Sequence, residues 1–134
     1  MIFVIFILAL QAEIFLHYWV IRKLQYDPTP DDKFVTRSKI AVIAFRIAYP
    51  ILIFAFMGEK TWLSLDLYLA TCLFLHLLLF PIELSIAMGK PWHYLGKGFV
   101  DKLIALIPSA IFRVWMFGIL AAAGWSAYFN QDLL

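Results

Sequence analysis

Glu13, His17, Arg46, Asp66, His76, Glu83 and Arg113 interrupt stretches of sequence that are otherwise almost wholly apolar. An ionisable side chain at the centre of a bilayer costs about 3 kcal/mol or more, so such residues face a partner or a wet cavity and commonly mark ion paths or proton relays. Their types allow specific chemistry. A carboxylate can exchange a proton or hold a cation. An arginine stays charged and needs a carboxylate, an anion or water beside it. A histidine is neutral or charged according to its surroundings.

The composition says what must position these groups. Of 134 residues, 64% are hydrophobic and 15% charged, and the mean hydropathy is +0.87. A soluble domain is about half apolar and a quarter charged. The departure on both counts predicts an all-α polytopic integral membrane protein with little soluble mass. A net charge of +2 without a basic run argues against nucleic-acid binding. The single cysteine, Cys72, lies in an apolar run and reads as a buried, inert thiol. No paired-cysteine metal motif and no haem-attachment motif is present.

A spanning helix needs about 20 mostly apolar residues. Four stretches qualify, at about 2–21, 40–57, 63–88 and 103–129. The first has no basic leader, carries Glu13 and His17, and is followed by no small-residue cleavage site, so it reads as a retained span. Arg22, Lys23, Lys33, Arg37 and Lys39 fall between the first two stretches, and Lys90, Lys97 and Lys102 between the last two. The positive-inside rule then places loops 22–39 and 89–102 in the cytoplasm and both termini outside, in an inner or plasma membrane. Trp19, Trp62, Trp92 and Trp125 fall near span ends, as an aromatic belt requires. In the first loop Thr29 suits a helix N-cap and Pro30 the first helical position, with Asp31 and Asp32 at the positive helix end. Residues 89–98 mix turn formers, aromatics and lysines and suit a loop at headgroup level. No repeat or linker divides the chain, so residues 1–134 are expected to form one four-helix bundle domain.

With alternating spans, each ionisable residue can be given a depth at about 1.5 Å per residue. Glu13 and Arg46 lie about eight residues in from the cytoplasmic side, Arg113 about ten and His76 about twelve. One polar group from each helix therefore falls near the midplane. His17, one turn from Glu13 on the same face, and Glu83 form a second layer nearer the cytoplasm. Asp66 lies near the outer surface. Glu13 and Glu83 balance Arg46 and Arg113. The functional reading is an ion, proton or anion site built from Glu13, His17, Arg46, His76, Glu83 and Arg113. The plainer reading is an ion-pair network that fixes helix order and register.

Pro50, Pro81 and Pro108 fall within the predicted spans and shape their helices. Gly118 and Ala122 have the spacing that lets helices approach closely.

Three classes of function fit these residues. The first is a homo-oligomeric channel or transporter, including hole-forming types, with Glu13 as its coupling carboxylate. An embedded glutamate early in the first helix resembles that of small four-helix multidrug transporters, whose other motifs are absent. The second is a structural or accessory subunit of a larger membrane complex. The third is a membrane enzyme holding a metal or haem. Glu13, His17 and Glu83 are competent metal ligands, and two histidines on different helices, His17 and His76, raise the possibility of haem ligation. Their unequal depths argue against a shared haem. No cofactor is predicted, and an enzyme is the less favoured class.

Overall fold

The computed structural model describes residues 1–26, 32–57, 61–95 and 99–131. Its regular structure is entirely helical: α1 (Ile2–Tyr26), α2 (Asp32–Met57), α3 (Trp62–Ala87), α4 (Phe99–Ile104) and α5 (Ala110–Phe129). Among the described residues three helices are long and apolar enough to cross a membrane: Ile2–Lys23, Trp62–Ala87 and Ala110–Phe129. The apolar run of α2 is shorter, Ile40–Phe56. Thr29, Pro30 and Asp31, expected at the start of the second helix, lie outside the described residues, as does Lys97.

The helices form two compact units, Met1–Met57 and Gly58–Leu134. In the first, α1 packs on α2. Phe3, Phe6, Leu10, Glu13 and Ile14 are buried along α1. Phe3, Phe6, Leu10 and Glu13 repeat every three or four residues, so they share one face of the helix. Tyr49 of α2 sits among aromatics, its ring 5.5 Å from Phe6 and 5.2 Å from Phe45. Aromatic pairs at such separations favour tilted geometry and add to burial.

In the second unit α3 packs on α5. The seam is hydroxyl-rich: Ser64, Tyr68 and Thr71 are fully buried. Between apolar helices in lipid, close packing and satisfied polar groups replace the hydrophobic drive. Thr71 donates to the Leu67 carbonyl at 2.7 Å, which lets a hydroxyl sit in the seam without an orphaned donor. Gly124 of α5 lies against it, and a Cβ there would overlap the Thr71 hydroxyl. Phe117, Ala121 and Tyr128 are buried on α5. With Gly124 they trace the packed face. Gly118 meets nothing within 4 Å of an added Cβ, and Ala122 is exposed. The close approach to α3 therefore uses Gly124 and Ala121, while the Gly118 and Ala122 spacing lies outside this seam.

The fourth expected stretch, 103–129, is not one helix. It divides into the end of α4, a turn at 105–109, and α5 from Ala110. Pro108 explains the break. Proline disfavours helical backbone in the residue before it and brings no N–H of its own. Ser109 then caps α5, its side chain accepting from the Phe112 N–H at 3.2 Å. Pro50 and Pro81 do lie inside helices. Each leaves the carbonyl four residues earlier, Arg46 and Leu77, without its usual helical donor.

A second turn orders the connection after α3. Gly89 takes φ +67°, a left-handed conformation that only glycine adopts at no steric cost. The Lys90 N–H donates to the Ser85 carbonyl at 2.8 Å. The Ser85 hydroxyl, bonded to the Pro81 carbonyl at 2.6 Å, also reaches the Tyr94 carbonyl at 2.9 Å. The loop thus folds back against the end of α3.

Candidate functional site

The first unit holds a polar cluster in the middle of α1. Glu13 is 1% exposed, as completely buried as its apolar neighbours. The Arg46 Nε donates to its Oε1 at 2.7 Å. The Tyr49 hydroxyl donates to its Oε2 at 3.2 Å. The His17 Nδ1 lies 4.0 Å from Oε1, one turn along the same helix. Both carboxylate oxygens therefore have partners, and the strongest is a charge-assisted bond at the short end of its range.

Local sequence explains the arrangement. Glu13 and His17 are four apart on α1, and Arg46 and Tyr49 three apart on α2, so each pair shares a helix face. An antiparallel approach of the two faces brings all four side chains to one level. Pro50 adds to it, because the Arg46 carbonyl lacks its usual helical donor there. At the end of α1, Arg22 donates to the Tyr18 hydroxyl at 3.0 Å and lies over its ring.

The other expected site residues lie in the second unit. His76 is near the middle of α3, half-buried and stacked on Phe80 with centroids 4.9 Å apart. Glu83 is half-buried near the end of α3. Arg113 lies in the first turn of α5, not about ten residues inside a longer helix as expected from depth counting. The break at Pro108 is the reason. Among the described residues neither Glu83 nor Arg113 has a side-chain ion-pair or hydrogen-bond partner. Asp66 is exposed, and Cys72 is a buried free thiol.

The structure brings together Glu13, His17 and Arg46. It adds Tyr49, which the sequence reading missed. Its signal was its place three residues after Arg46 in an apolar run, where a hydroxyl also needs a partner. Among the described residues, no group of three or more His, Cys, Asp and Glu side chains is arranged to hold a metal ion.

Arg113 has a different setting. It lines a small cleft of about 30 Å³ with Leu77, Pro81, Trp92, His93 and Tyr94. The folded-back loop forms one wall and the facing turns of α3 and α5 the other.

This is a helical membrane protein with a buried charged cluster. Comparison with known proteins finds no matching family, no matching curated protein and no matching solved structure.

Proposed function

We propose that this chain forms a homo-oligomeric proton- or ion-conducting membrane protein in which Glu13 is the coupling carboxylate. The observation that carries the reading is Glu13 itself. It is fully buried at the middle of an apolar helix, yet held by an arginine and a tyrosine, with the His17 Nδ1 4.0 Å away. Ionisable groups placed so deep in a span have function as their default explanation. Arg46 serves as the counter-charge that proton or ion binding at Glu13 releases. Tyr49 and His17 orient the carboxylate and offer proton-exchanging atoms beside it.

The reading includes four spans. Arg46 meets Glu13 at the centre of α1, so the α2 run Ile40–Phe56 shares that depth. At about 1.5 Å per residue, its 17 residues reach about 25 Å, close to a hydrocarbon core of about 30 Å. The basic loops 22–39 and 89–102 then face the cytoplasm and both termini lie outside. Trp19, Trp62, Trp92 and Trp125 are all exposed, as interfacial anchors would be. Four helices enclose no broad conduit, so conduction takes several copies of the chain in one membrane.

A second reading is an accessory subunit, favoured by the neutrality of the cluster and the satisfied carboxylate. Such pairs can serve helix register alone. Proton flux in proteoliposomes, wild type against Glu13→Gln, tests the first reading. A native mass spectrum tests the second: the first requires a defined multimer, the second a monomer.

A further inference from the structure

The cleft beside Arg113 is lined wholly by residues of the second unit and has its own chemistry. Its floor is apolar: Leu77, Leu78, Ile82, Ile104, Val114 and Phe117. Its rim carries Trp92, His93 and Tyr94, all exposed. Arg113 enters it from the first turn of α5. Lys90 is not in the lining but lies beside Tyr94, its Nζ 5.8 Å from that ring centre. The N-terminal end of α5 contributes the same sign of potential.

An apolar slot with a cation at its mouth suits an amphiphile with an acidic head. Arg113 is half-buried and among the described residues no carboxylate pairs with it, so an anion or water must stand beside it. The volume decides between occupants. A drug-sized ligand needs about 300 Å³ or more, and this cleft holds about 30 Å³. It can take a segment of an acyl chain or a single oxyanion, with the rest of the molecule outside. The location narrows the choice. The cleft lies where α3 ends and α5 begins, and both are candidate membrane spans. Its rim is therefore at headgroup level, where acidic phospholipids attract basic residues.

We infer that this cleft binds one acidic phospholipid of the surrounding bilayer, its phosphate on Arg113 and the start of an acyl chain against Leu78, Ile82 and Val114. The site rests on the membrane reading of the chain and not on the conducting role of Glu13.

The test is a native mass spectrum of the full chain from detergent doped with equal phosphatidylglycerol and phosphatidylcholine. The wild type retains one phosphatidylglycerol per chain in preference to phosphatidylcholine. Arg113→Gln lowers that preference about fivefold, the equivalent of about 1 kcal/mol per basic contact near the surface. Arg113→Lys restores part of it, and Arg37→Gln, on an exposed side chain outside the cleft, leaves it unchanged. Val114→Phe fills the slot, keeps the charge and lowers retention as well, so the claim stands or falls even if Arg113→Gln does not fold. Equal retention of both lipids by the wild type overturns the proposal. So does a preference that Arg113→Gln and Val114→Phe both leave intact. Displacement of the lipid by millimolar inorganic phosphate overturns the lipid assignment in favour of a free-anion site.

Discussion

Arg46 and Glu13, on successive helices, meet at 2.7 Å between Nε and Oε1, with the carboxylate 1% exposed. The pair ties α1 to α2 near the middle of the candidate span Ile2–Lys23. Removing one member of a buried pair strands the other and costs about 3–5 kcal/mol. Glu13→Gln and Arg46→Leu should each destabilise the folded chain by that order in detergent unfolding. The double variant should be at least about 1 kcal/mol more stable than the sum of the singles. Simple additivity would mean that the two residues are not coupled.

Tyr49→Phe removes one hydrogen bond to Glu13 Oε2 and little else. A bond to a charged group contributes about 1.5–3 kcal/mol. The expected loss is at the low end, because Arg46 still holds the other oxygen. The same substitution in a Glu13→Gln background should cost less than in the wild type. An equal cost in both would show that the tyrosine acts through its ring packing on Phe6 and Phe45 alone.

Gly124 and Gly118 should behave oppositely. An added methyl at Gly124 overlaps the Thr71 hydroxyl, and overpacking of this kind costs about 1–3 kcal/mol. Gly118→Ala meets open space and gains helix propensity of up to about 1 kcal/mol. Thr71→Ala should relieve part of the Gly124→Ala defect, measured by thermal unfolding of the four proteins in one detergent.

These seams show how much the sequence could reveal. The spans of α1 and α3 were legible because a long apolar run has few other uses. Pairing of Glu13 with Arg46 was legible because both counted to the same depth. Tyr49 was not, since a hydroxyl among aromatics carries no ionisable signal. Hydropathy also runs without pause through Leu106 and Ile107, which hid the break at Pro108 and put Arg113 about ten residues inside a helix instead of in its first turn. Two small-residue pairs, Gly118 with Ala122 and Ala121 with Gly124, lie on one helix, and spacing alone does not say which face packs.

Topology gives an independent check on the four-span reading. In a Cys72→Ser background, Arg37→Cys and Tyr94→Cys should react with an impermeant maleimide from the cytoplasmic side. Thr61→Cys should react only from the opposite side. Labelling of Arg37→Cys and Thr61→Cys from the same side would mean that α2 does not cross.

The most direct measurement is proton flux through purified protein in liposomes loaded with a pH-sensitive dye. Wild-type protein should collapse an imposed pH gradient faster than empty liposomes. Glu13→Gln, incorporated to the same density and the same oligomeric size, should reduce that rate at least tenfold, to near the empty-liposome level. Equal rates for wild type and Glu13→Gln, or a wild-type rate no faster than lipid alone, would contradict a coupling role for Glu13 and leave the Glu13–Arg46 pair as a fastening between helices.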